Sequence, residues 1–193
     1  MNPGLFVCYN GFGDSMERIE KQMEFILEID KEKQIKRKTL QSNGKDFEDD
    51  AQHAWHMAIM TLLLNEYANE EIDAGDTYAY DSQGLKTQST REAKAANRIF
   101  NLLPEDQAKK MFDLWNEFEE RKTAEAKFAR VLDNFQPVML NAATDGRMWV
   151  ENGVHLEQIL KRNEKTHEGS EVLWMYMYEH FILPNVNKGR IKK

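Results

Sequence analysis

The residues of this sequence that could do chemistry are histidines and carboxylates. His53 and His56 lie three residues apart, ahead of an acidic stretch carrying Glu70, Glu71, Asp73 and Asp76. Asp133 falls inside an otherwise apolar segment, flanked by Phe128, Val131, Leu132 and Phe135. A buried carboxylate is costly unless it is paired or binds a cation. Asp133 is therefore either a structural partner of Arg130 or a capping group, or else a cation ligand. His53 is either a core histidine bonded to a backbone carbonyl or a ligand of the same cation. Together the two suit an imidazole-and-carboxylate site for a divalent metal such as Mn, Fe or Co. Other catalytic patterns are absent: there is no glycine-rich phosphate loop, no Gly-x-Ser-x-Gly elbow and no cysteine pair for zinc. The single cysteine, Cys8, has no histidine beside it. A basic run of Lys31, Lys33, Lys36, Arg37 and Lys38 is either a solvated face or a local anion site.

The elements that must position these groups read as a succession of helices. Residues 1–15 are rich in Gly, Asn and Asp and are expected to form a loose arm, with Ser15 an N-cap candidate. Met16, Ile19, Met23, Ile26 and Leu27 follow at the spacing of one buried helical stripe, and the same helix is expected to continue into the basic run. Gln41-Ser42-Asn43-Gly44 reads as a turn. Asp49 and Asp50 open a second helix, which runs to about residue 68. It is apolar nearly all round and is therefore expected to be central, with His53, Met57, Met60, Leu64 and Tyr67 on one face. Further helices are expected over about 88–101 and from Leu103-Pro104 through Phe118. Another follows Thr123 through Leu132 and Leu140, kinked or ended at Pro137, and the last two cover about 154–163 and 170–182. No alternating strand pattern of useful length appears.

Length and composition agree with one helical domain over residues 16–187, followed by a basic tail at 188–193. The 193 residues are 41% hydrophobic and include only ten Gly and four Pro, so there are few breaks and enough apolar surface for a core. The balance of 26 Lys and Arg against 33 Asp and Glu gives a net charge of −7, which disfavours non-specific nucleic-acid binding. No run of 18 apolar residues offers a membrane span, and the lone cysteine fits a reducing, cytoplasmic setting.

Several segments, in order, carry a resemblance. Asp49-Asp50-Ala51-Gln52-His53-Ala54-Trp55-His56 resembles the opening of the HD-domain metal-dependent phosphohydrolases, in the branch of the 5′-deoxynucleotidases. Glu71-Ile72-Asp73-Ala74-Gly75-Asp76-Thr77-Tyr78-Ala79-Tyr80-Asp81 resembles the loop after that family's second metal motif. Ala129-Arg130-Val131-Leu132-Asp133-Asn134-Phe135-Gln136-Pro137 is similar to the segment carrying the last metal-ligand Asp. The tail Asn141…Gly146-Arg147…Trp149 and Gly153-Val154 fits as well, so the likeness covers about residues 17–185.

The resemblance implies an all-α, HD-domain-like bundle holding a divalent metal, with His53 and Asp133 as ligands. It implies Glu71 and Asp76 beside the metal, orienting or activating water and protonating the leaving oxygen, and Arg37, on the first helix, contacting phosphate or sugar. The implied substrate is a small molecule, a (deoxy)nucleoside 5′-monophosphate; a homodimer is left open. One departure is plain: none of the five histidines is followed by Asp, so the dipeptide that supplies the family's middle two ligands is missing. The family's helix ending in that dipeptide would fall between Glu70 and Glu71, which abut here. The competing expectation is a catalytically impaired or inactive HD-fold protein that acts as a helical interaction protein.

Overall fold

The structure is a computed structural model that describes residues 10–72 and 88–193, with side chains described over 15–72 and 93–193. In chain order its helices are α1 (Asn10–Ile29), α2 (Asp50–Leu64), α3 (Gln88–Phe100), α4 (Glu105–Glu120), α5 (Ala124–Ala143), α6 (Arg147–Glu151), α7 (Leu156–Arg162), α8 (Thr166–Gly169), α9 (Glu171–Met177) and α10 (Leu183–Asn187). Two short antiparallel strands, β1 (Lys36–Leu40) and β2 (Phe47–Asp49), lie ahead of α2. The fold is all-α in class, as the run of helical periods predicts.

The chain divides into two compact units, one made of Met1–Lys31 and Ser82–Asp113, the other of Glu32–Asp81 and Leu114–Lys193. In the first unit α1 begins at Asn10, so Ser15 is inside the helix rather than at its cap, and part of the expected arm is helical. The expected α1 stripe is not buried. Met16, Ile19, Met23, Ile26 and Leu27 are all exposed, and Phe25 is the buried residue. The reason lies in which face meets its neighbours. Arg18, Gln22 and Phe25 share a face at i, i+4, i+7 spacing. Along it, Arg18 pairs bidentately with Asp106 at 2.7 Å and Gln22 bonds Gln107 at 2.9 Å, with Glu28 reaching Arg98 at 2.7 Å.

The second unit holds the main core. Phe128, Val131, Leu132 and Phe135 of α5 pack with Met57 and Met60 of α2, and with Leu173, Met177, Ile182 and Val186 of the C-terminal helices. α5 runs unbroken through Pro137, contrary to the expected kink or end. The proline removes one backbone donor, and the dense packing of α5, with eleven buried residues, outweighs that loss. α2 also departs from expectation. His53, Met57, Met60 and Thr61 are buried, but Trp55, Leu62 and Leu63 are 62–67% exposed, so the helix is one-sided rather than central. It ends at Leu64 and passes through a 3₁₀ turn, Asn65–Tyr67, into coil.

The basic run is not a continuation of α1. After a 3₁₀ turn at Asp30–Gln34 the chain becomes β1, and the expected turn at Gln41–Gly44 connects it to β2. Gly44 takes the left-handed conformation there (φ 67°), and Asn43 Oδ1 accepts from the backbone N–H groups of Lys45 and Asp46. At the other end, Ile191 is buried and Lys192 exchanges backbone bonds with Val154 and Leu156.

Candidate functional site

Two helix starts fix the central pair. Asp49 caps α2: its side chain accepts from Gln52 N at 2.9 Å, and Gln52 Oε1 accepts from Asp49 N at 3.1 Å. That reciprocal cap sets the rotation of the first turn and turns His53 inward, fully buried. Thr123 caps α5 by accepting from Ala126 N, and ten residues on Asp133 faces the same interior, 1% exposed. His53 Nε2 and Asp133 Oδ1 lie 3.5 Å apart. Thus the structure brings together the two residues that the sequence singled out from separate segments.

Charged neighbours surround the pair on both sides. Arg130, one turn before Asp133, donates to Asp133 Oδ2 at 2.6 Å. Burial alone raises the Asp133 pKa, but His53, Arg130 and Arg162 outweigh it and hold the carboxyl ionised, below its ordinary range. Across the imidazole, Glu48 Oε2 lies 3.6 Å from His53 Nδ1. Glu48 is itself buried on β2, 3.3 Å from Arg37 Nε, and its other oxygen accepts from Gln136 Nε2. Gln136 also approaches His56 Nδ1 at 3.3 Å, which ties the second histidine to the network. Arg37 completes the chain by donating to Asp50 Oδ1 at 3.0 Å.

The remaining expected residues are placed differently. Arg37 is on β1, not on the first helix, and its guanidinium is buried between Glu48 and Asp50. The hairpin is what takes it there, because it folds β1 back beside the start of α2. Glu71 lies in exposed coil and makes no hydrogen bond or ion pair with the described residues. Asp76 lies outside the described residues. Glu48 was not singled out in the sequence. The signal for it was the Asn43-Gly44 turn, which marks a hairpin and would have put Glu48 on a strand leading straight into the histidine helix.

Among the described residues, no group of three or more His, Cys, Asp or Glu is placed to hold a metal. What is present is an imidazole nitrogen and a carboxylate oxygen that face each other, with Asp133 Oδ1 making no hydrogen bond of ordinary length. Three carboxylates, Glu48, Asp50 and Asp133, meet the guanidinium groups of Arg37 and Arg130, and Arg162 adds positive charge near Asp133, so the fit to a cation rests on the imidazole–carboxylate pair itself. This fits a hard or borderline cation held by few protein atoms, with its other positions left to water and phosphate oxygens. It does not fit a closed four-ligand structural zinc site.

The helical fold buries the histidine–carboxylate pair in the second unit, and comparison with known proteins supplies the family. The HD domain family model matches residues 29–174, and the chain belongs to that family. A solved structure described as a predicted metal-dependent phosphohydrolase, from Magnetospirillum magnetotacticum MS-1, superposes with a TM-score of 0.82. It is 36% identical, over 92% of this chain and 97% of that one. The chain is also similar to the 5′-deoxynucleotidase HDDC2 of Bos taurus, 31% identical over 101 residues, covering 45% of this chain and 49% of that protein. The Homo sapiens protein of the same name is 29% identical over the same length, covering 45% and 50%. The match thus spans about half the length of these relatives. Its 101 aligned positions take up only 45% of this chain's residues, so some residues of the relative stand opposite none here.

Proposed function

We propose that this chain is a nucleotide phosphohydrolase acting on (deoxy)nucleoside 5′-monophosphates, with a divalent cation between His53 and Asp133. The observation that carries this reading is the 3.5 Å approach of two buried donor atoms, His53 Nε2 and Asp133 Oδ1, in a member of the HD domain family. A cation bound there supplies charge stabilisation for a phosphate oxygen and a more acidic water. The chain's own residues prepare the site. Glu48 beside Nδ1 favours the tautomer that keeps the proton on that nitrogen and makes Nε2 the nitrogen whose lone pair would ligate. Arg130 holds Asp133 Oδ2 and so turns Oδ1 toward His53.

Glu71 and Asp76 enter the proposal, by resemblance, as the groups that orient or activate water and protonate the leaving oxygen. The exposure of Glu71 leaves its carboxylate accessible to such a role. Arg37 enters as a phosphate- or sugar-contacting residue on the same ground. Its buried geometry supports a positioning role through Glu48 more directly. A small-molecule substrate, rather than nucleic acid or membrane, and a cytoplasmic location belong to the same reading. Among the described residues no helix is long and apolar enough to cross a membrane.

One observation favours a second reading, an impaired or inactive HD-fold protein. The described residues offer two protein donors, whereas catalytic zinc sites, for comparison, keep three. The experiment that decides is phosphate release from dAMP and dCMP with added Mn or Co, alongside metal content of the purified protein. Turnover that disappears in His53→Ala and Asp133→Ala together with metal retention supports the phosphohydrolase. Absence of both turnover and saturable metal binding in the unaltered chain supports the second reading.

A further inference from the structure

The second unit carries a cleft of about 390 Å³ that the proposed chemistry does not use. α5 lines it with Lys127, Arg130 and Asn134, which share one face at i, i+3, i+7 spacing. The end of α7 and the turn after it add Lys161, Arg162 and Lys165, and Arg121 closes it from the end of α4. Six cations thus surround the cleft against three glutamates, Glu120, Glu164 and Glu168, in a chain whose overall charge is −7. Arg130 is engaged with Asp133. Arg121, Lys127, Lys161 and Lys165 have no ion-pair partner among the described residues. A local reversal of charge of this kind, in a concave site large enough for a small metabolite, concentrates anions.

A buried side chain gives the second, independent indication. Asn134 is 4% exposed, and its Nδ2 donates to Thr166 Oγ1 at 3.3 Å, while its Oδ1 accepts no hydrogen bond. A buried acceptor left unmatched is unfavourable, so a ligand that brings a donor relieves it. The ligand must then be anionic and carry a proton it can donate. A phosphate or diphosphate group near neutral pH does both through its P–O–H; a sulfate, fully ionised, supplies only charge.

We propose that this cleft is an anion site for the phosphate or diphosphate group of a small molecule, with Lys127, Lys161, Lys165 and Arg121 meeting the charge and Asn134 Oδ1 accepting from the P–O–H. It backs onto the His53–Asp133 pair through Arg130, which lines the cleft and bonds Asp133. It stands whether or not that pair is catalytic.

The test is isothermal calorimetry of the full chain with pyrophosphate in EDTA, which removes any metal-borne site. Saturable binding is expected, weakened at least tenfold in Lys161→Glu/Lys165→Glu and also in Lys127→Ala. It should be unchanged in Lys109→Glu, an exposed α4 lysine outside the cleft, and only weakly displaced by sulfate at the same ionic strength. Circular dichroism checks that each variant keeps its helices, and the single Lys127→Ala change serves if the double reversal does not fold. Lack of saturable binding, equal binding by all variants, or full displacement by sulfate would each overturn the assignment.

Discussion

Asp133 and His53 were legible in the sequence because each is a polar residue at an inward position of an apolar helix, and such a residue must have a partner. Their neighbour Glu48 was not. It stands in Lys45-Asp46-Phe47-Glu48-Asp49-Asp50, where acids next to a helix start read as capping groups, and only the hairpin fold buries it. The network makes a sharp prediction at this scale. Asp133→Ala leaves Arg130 without the carboxylate it bonds and removes one of the two that flank His53, so urea denaturation should show a loss of about 3–5 kcal/mol, as for other broken buried pairs. A loss under about 1 kcal/mol, the size of an exposed ion pair, would show the pair to be solvent-screened. Glu32 predicts an effect of opposite sign. Burial, then the nearby Asp50 charge, raise its pKa above the ordinary carboxylate value. Its ionised form therefore opposes folding. The penalty is absent below the unfolded pKa and fully present above the raised folded one. Glu32→Gln should accordingly raise stability at neutral pH, and the gain should fade as pH falls through that interval. A gain independent of pH between 4 and 8 would be at odds with this.

The helices themselves were legible from periodicity and caps: Asp49 and Thr123 do begin α2 and α5, and the helix expected from about 170 begins as α9. The faces were less so. α2 reads as apolar all round, yet Trp55, Leu62 and Leu63 face outward, because period alone counts apolar residues without knowing which side has a neighbour. The strands were missed because Lys36-Arg37-Lys38-Thr39-Leu40 looks like a solvated helix end, and cross-strand partners are not local in sequence. Three substitutions test the assignment of faces. At Gly169, in α8, a Cβ would lie 2.6 Å from Lys127 O and 2.7 Å from Val131 Cγ2. Gly169→Ala should force α8 off α5 and cost about 1–3 kcal/mol, the usual toll of overpacking. Leu62→Gln and Leu63→Gln, on the exposed face of α2, should each change stability by no more than about 0.5 kcal/mol. If they cost as much as Gly169→Ala, that face is covered in solution.

At the scale of the whole molecule, the question is whether fold and metal are coupled, as they are in small metal-dependent domains. Here the largest fully buried side chains, Phe128, Met57, Leu132, Met177 and Ile182, make the second unit's core from α2, α5 and the C-terminal helices. None of them depends on a cation. The two candidate ligands are also held by protein contacts, His53 between Glu48 and Asp133, and Asp133 by Arg130. A cation would therefore bind a formed site and add stability only through mass action, about 2.7 kcal/mol at a hundredfold excess over its dissociation constant. The prediction is twofold. Protein treated with EDTA should keep its helical circular dichroism and unfold cooperatively. Titrating Mn back should raise Tm progressively in the unaltered chain, and should not do so in Asp133→Asn, which keeps the side chain's shape but loses the charge that attracts the cation. Loss of helix on chelation would make the metal part of the fold, and an equal rise in Tm for Asp133→Asn would move the cation away from the His53–Asp133 pair.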